Sequence, residues 1–195
     1  MSSKEEILAN CRKNIHKTFE RPSLDDIGAI TFPDTYLAFK EKAAAMGSRI
    51  IEAKPGEKIS EIVKRLFPDA KEIAGDPAVC ETVTRDPDKI ESAQALNGTD
   101  VGIIKGDFGV AENGCVWVRQ TMKEKAVCFI SENLVILLPA GAVVNNMHEA
   151  YKKVTIDPEY GYGSFLCGPS KTADIAQVLV TGAQAARSLT LILMP

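Results

Sequence analysis

The chain has 195 residues, 45% of them hydrophobic and 25% charged, with a formal net charge of −3. That length suits one domain, 1–195 with an N-terminal helical segment at about 1–20, burying roughly 70% of its unfolded surface. The mild acidity offers no basic face to a nucleic acid, and no run approaches the ~20 apolar residues that cross a bilayer. Glu5 and Glu6 stand where a signal peptide needs its apolar core. The expectation is a cytoplasmic protein with no membrane insertion and no nucleic-acid partner.

In chain order, Ser3-Lys4-Glu5-Glu6 opens an amphipathic helix with Ile7, Leu8, Cys11 and Ile15 at helical spacing, ended by Arg21-Pro22. Pro33 starts a second helix running toward Gly47, a natural C-cap. A strand over Arg49–Ala53 follows. Pro55-Gly56 then turns the chain into a helix over Ile59–Phe67, with Ile59, Ile62, Val63 and Leu66 on one face. A strand is expected over Lys71–Ala74 and one short helix near Ile90. Asn97-Gly98-Thr99 reads as a turn. Further strands are expected at Val101–Ile104 and Cys115–Val118. Leu134–Leu138 is a continuous apolar run, as a strand buried on both faces requires. A helix over Asn145–Lys153 carries His148. A strand at Ser164–Cys167, a helix from Gly168-Pro169-Ser170 through Val180, and a last strand at Leu189–Leu193 complete the pattern. Alternating strands and helices imply an α/β fold, with an open, mostly parallel sheet covered on both faces.

Three groups of residues carry the chemistry. Gly168, Ser170, Lys171, Thr172 and Asp174 follow a strand directly. If the turn opens a helix, free backbone N–H groups and the helix dipole favour an anion, with Lys171 and the hydroxyls adding charge and donors. The alternative is that Ser170 caps the helix and Asp174 complements its dipole. Asp107, Glu112 and Asn113 lie in the glycine-punctuated stretch Gly106–Gly114. Two acids there could bind a polyhydroxy ligand or do acid–base work, but on pattern alone a solvated turn, with Asn113-Gly114 as an ordinary hairpin signal, is the preferred reading. Loops leaving the carboxyl ends of parallel strands share an edge, so the two groups are expected to converge. The third group is the five cysteines, Cys11, Cys80, Cys115, Cys128 and Cys167. None forms a CxxC or CxxxC pair, so neither a metal site nor an iron–sulfur cluster is expected, and buried free thiols are. No cofactor is implied.

Asp100-Val101-Gly102-Ile103-Ile104, then Gly109-Val110-Ala111-Glu112-Asn113-Gly114, then Gly168-Pro169-Ser170-Lys171-Thr172-Ala173-Asp174-Ile175 resemble the ordered signatures of the lactate utilization protein C family (LutC/YkgG, the LUD domain). The likeness covers most of the C-terminal half and the N-terminal half in outline. It implies a three-layer α/β/α fold similar to the NagB/RpiA/CoA-transferase-like group. It also implies a part in oxidising L-lactate to pyruvate beside iron–sulfur sister proteins of a lactate-utilization operon, which would hold the clusters. A small organic acid or phosphate-bearing ligand fits that role. The chain departs from the family in carrying Lys171 where Arg is common and Gly182-Ala183-Gln184-Ala185-Ala186 where Gly-x-His-Gly-Pro is frequent. Ser131 to Asn133 likewise replaces a proline–histidine element. These departures weaken any claim of histidine chemistry and suit a divergent paralogue, while the resemblance and the missing cluster spacing imply an accessory, ligand-binding role. The alternative is a NagB/RpiA-like enzyme acting on a phosphosugar, an acyl thioester or a folate-like acid.

Overall fold

The computed structural model describes residues 3–20, 22–24, 27–173, 177–184 and 186–195. The N-terminal part holds α1 (Ser3–Lys13), α2 (Thr35–Ala45), β1 (Ser48–Glu52), α3 (Ile59–Leu66) and β2 (Ile73–Ala74). Next come β3 (Val101–Lys105), β4 (Phe108–Val110), β5 (Cys115–Arg119), α4 (Val127–Ile130), β6 (Asn133–Pro139), β7 (Val143–Val144) and α5 (Met147–Lys153). The last elements are β8 (Gly163–Leu166), β9 (Lys171–Thr172), β10 (Val180–Thr181) and β11 (Ser188–Met194). Among the described residues no helix is long and apolar enough to cross a membrane.

The two apolar runs noted in the sequence are the inner strands of a five-stranded sheet of order β1-β11-β6-β3-β2, parallel at every pairing. Period-two alternation divides these strands between two cores. Leu134, Ile136 and Leu138 of β6 join Leu189, Leu191 and Leu193 of β11 and Ile104 of β3 on one face. Val135, Leu137, Ile192, Val101 and Ile103 point to the other. Helix α3 covers the second face, its Ile62 and Val63 wholly buried. The first face is covered by Phe39 and Ala43 of α2, Val127 of α4, and a second sheet that contributes Val116, Val118 and Leu166.

That second sheet, of order β7-β4-β5-β8, explains where the Cys115 strand goes. Gly114 takes φ +73° and donates its N–H to the Val110 carbonyl at 2.8 Å. The chain therefore reverses at once and β5 lies antiparallel to β4, where a parallel neighbour would need a long crossover. Strand β8 adds antiparallel to β5. Trp117, Phe165, Phe108 and Ala150 of α5 close the outer face of this sheet.

Other expectations shift for local reasons. The strand at Lys71 begins only at Ile73, because the N–H groups of Lys71 and Glu72 donate to the Asp100 carboxylate at 2.7 and 2.9 Å. The short helix falls at Ala93–Leu96, as a 3₁₀ turn. Helix α1 stops at Lys13 and buries none of its residues. The helix expected from Gly168 to Val180 is not found among the described residues. Lys171 and Thr172 instead pair antiparallel with Thr181 and Val180. Asp174 lies outside the described residues.

Candidate functional site

The turn after β8 is pressed against the segment that leads from α2 into β1. Gly168 takes φ +67°, and a Cβ there would collide with the Met46 carbonyl oxygen, so only glycine passes. The Ser170 N–H donates to the Ala186 carbonyl at 3.0 Å, and the Gly182 N–H donates to the Ser170 carbonyl at 2.8 Å. The Ser170 hydroxyl donates to the Gln184 carbonyl at 2.6 Å. The Lys171 ammonium donates to the Met46 carbonyl, keeping its other two donors free by valence. Met46 precedes β1 and Ala186 precedes β11, so this turn sits at the amino edge of the parallel sheet. Among the described residues no helix begins at this turn, and because Lys171 and Thr172 continue as a strand Ser170 is no helix cap.

Beside the turn opens a cavity of about 380 Å³, walled by the turn itself, Phe129 of α4, Leu134 of β6, Phe165 and Leu189 of β11. Its described lining contains one cation, Lys171, one hydroxyl, Ser170, and no carboxylate or imidazole. A second cleft of about 180 Å³ lies at the carboxyl edge between Asp76, Asp88, Lys105 and Met122. A crevice at Tyr162 and Lys125 holds about 10 Å³, water-sized at most.

Two cysteines meet at the cavity wall. Val116 of β5 faces Leu166 of β8, so the next rung outward sets Cys115 opposite Cys167. The neutral Cys167 thiol donates to the Asn113 carbonyl at 3.2 Å. A hydrogen bond from the Cys115 thiol, aided by the nearby charge of Lys171, brings Cys167 down to about 7 against the opposing effect of burial. The same hydrogen bond, with burial, pushes Cys115 up. Cys128, also on the cavity wall, is pushed up to about 12 by burial. The free cysteines also include Cys11 and Cys80, and among the described residues no three His, Cys, Asp or Glu side chains group so as to hold a metal ion.

The residues singled out in the sequence are only partly brought together. Gly168, Ser170, Lys171 and Thr172 form the turn. Asn113 reaches it, its carbonyl facing Cys167 while its side chain accepts the Cys115 N–H at 3.1 Å. Glu112 is turned the other way and accepts the Met147 N–H at 2.8 Å, at the start of α5. Asp107 follows β3 at the carboxyl edge, where it pairs with Arg119 at 3.4 Å. Asp107 and Ser170 thus lie at opposite edges of the sheet, and the expected convergence is confined to Asn113. His148 is exposed on α5. Sequence reasoning missed Met46 and the Cys115–Cys167 rung, for which the only signal was that each cysteine stands at one end of an expected strand.

Residues 76–194 match the family model described as the LUD domain. The chain belongs to the LUD domain family. The matched LUD stretch includes Asn113, both paired cysteines and the Gly168 turn, while α2, β1 and α3 precede it. Over 101 residues the chain is 29% identical to lactate utilization protein C 1 of Bacillus mycoides, covering 49% of this chain and 43% of that protein. Over 100 residues it is 30% identical to lactate utilization protein C of Anoxybacillus flavithermus, covering 51% and 44%. The match thus spans less than half the length of these curated relatives. A crystal structure of a DUF162 family protein from Deinococcus radiodurans shares the fold. Its TM-score is 0.59 over 82% of this chain and 95% of that one, at 13% identity.

Proposed function

We propose that this LUD protein serves lactate utilization as an accessory, ligand-binding component. It holds no iron–sulfur cluster of its own and works beside iron–sulfur sister proteins in the cytoplasm. The likeness to proteins named lactate utilization protein C supports the pathway. The cavity at the Gly168 turn supports the role: a cation and a hydroxyl with no carboxylate among its described lining suit a small organic acid or a phosphate group. The alternative, a NagB/RpiA-like enzyme acting on a phosphosugar, an acyl thioester or a folate-like acid, needs an acid–base pair at the cavity. Asp107 and Glu112, the carboxylates expected to serve, are engaged with Arg119 and the Met147 N–H.

The test is a thermal melt of the full chain with L-lactate, pyruvate or inorganic phosphate. A ligand at about 100 times its dissociation constant stabilises by about 2.7 kcal/mol. Lys171→Ala should abolish the increment and leave the apo melt cooperative. An equal increment in the variant refutes the assignment of the site, and stoichiometric iron in the protein as purified refutes the division of labour.

A further inference from the structure

The strands β5 and β8 bring together two thiols that are far apart in sequence. Directly opposed residues of an antiparallel pair have Cα atoms roughly 4.5–5.5 Å apart, inside the roughly 4.4–6.8 Å that a disulfide spans. Continuing the register one rung beyond Val116 and Leu166 gives Cys115 and Cys167 a backbone spacing that a disulfide can span, and the two thiols lie close enough to share a hydrogen bond. Cys167 lies on the wall of the open cavity, with Lys171 on the same lining, while Cys115 is half-buried and not part of that wall. We propose that Cys115 and Cys167 form a reversible, hydroperoxide-sensitive thiol pair, Cys167 attacking from the cavity and Cys115 resolving the product into a cross-strand disulfide.

Cys167 attacks as the thiolate, the nucleophilic form of the side chain. Its sulfur bonds to the outer oxygen of a hydroperoxide as the O–O bond breaks, giving a Cys167 sulfenic acid and an alkoxide, or hydroxide when the oxidant is hydrogen peroxide, which takes up from solvent the proton that Cys167 released on ionising. The Cys115 sulfur then attacks the sulfenic sulfur, the S–S bond forms and the S–O bond breaks. The departing hydroxide leaves as water with the Cys115 proton. Two thiols have given two electrons to one peroxide. A dithiol reductant returns both thiols by exchange. The remaining cysteines lack this arrangement. Cys128 is held protonated by burial, Cys80 is buried against the Thr82 hydroxyl at 3.1 Å, and Cys11 stands exposed on α1. The proposal stands apart from whatever the cavity binds.

The experiment treats the reduced full chain with one equivalent of hydrogen peroxide and maps its peptides without reduction. The expected product is a Cys115–Cys167 linked peptide lighter by two hydrogens, undone by dithiothreitol. Iodoacetamide labelling of the reduced protein should mark Cys167 roughly tenfold faster than Cys128 at neutral pH, its rate rising through pH about 7. In Cys115→Ser, Cys167 should stop at a sulfenic acid that dimedone traps. In Cys167→Ser, Cys115 should stay reduced. Oxidation confined to Cys11, or Cys167 oxidised singly in the unsubstituted chain, overturns the proposal. The peptide map of the unsubstituted chain decides the matter by itself if a serine variant fails to fold.

Discussion

Replacing Gly168 by alanine should cost about 2–4 kcal/mol. Gly168 takes φ +67°, a conformation that costs an L-residue roughly 1–2 kcal/mol. The new methyl also meets the Met46 carbonyl oxygen, a backbone atom that cannot swing aside without dragging Gly47 and the start of β1. Overpacking of that kind costs typically 1–3 kcal/mol, offset by about 0.4–1 kcal/mol from the stiffer unfolded chain. Two controls separate the contributions. Gly56 has φ +78° with nothing within 4 Å of a built Cβ, so Gly56→Ala should cost about 1 kcal/mol from backbone conformation alone. Gly141 also has nothing within 4 Å and no positive φ, so Gly141→Ala should lie within about 1 kcal/mol of neutral. Urea unfolding followed by circular dichroism gives all three, with unchanged slopes required for the comparison. If Gly168→Ala costs no more than Gly56→Ala, the turn is not pressed on Met46 and the cavity wall is wrongly drawn.

Asp100→Asn should destabilise by about 1–2 kcal/mol, since the carboxylate accepts charge-assisted hydrogen bonds from two backbone N–H groups. Those bonds, from Glu72 and then Lys71, hold the Asp100 carboxyl below its ordinary value. Its stabilisation is therefore full above about pH 4 and lost as the pH falls through the lower, folded value. The gap in urea midpoint between wild type and variant should shrink in acid, and a gap independent of pH refutes the account. Glu112→Ala removes the acceptor at the first N–H of α5 and should cost about 0.5–1 kcal/mol, leaving any ligand-induced rise in Tm intact. Loss of that rise at unchanged stability would return Glu112 to the binding site.

What the sequence shows best is what burial on two faces demands. Leu134–Leu138 and Leu189–Leu193 are unbroken apolar runs because both sides of β6 and β11 are covered, and α3 is legible because Ile59, Ile62, Val63 and Leu66 recur at helical spacing. Strand β4 was hidden, since three residues beside Gly106 and around Gly109 resemble a loop until β5 and β7 pair with them. The Gly168 turn looks like a helix start because proline, serine and an acid fall at first-turn positions. Pairing of Lys171 and Thr172 with Thr181 and Val180 overrides that local preference. The Cys115–Cys167 rung is invisible in any spacing rule, because it follows from the register of two strands that are distant in the chain.

The position of β11 has a consequence for how the sheet comes into being. It fills the place between β1 and β6, matching Leu189 to Ser48 and to Leu134. Until residues 188–194 are made, β1 has no strand partner and one edge of β6 stays unpaired. Closing such a distant pairing is slow because the loop entropy comes first, and open apolar strand edges invite wrong partners meanwhile. The β2-β3-β6 part of the sheet therefore precedes β11 in the chain, and that one strand joins it to β1 in a single parallel sheet.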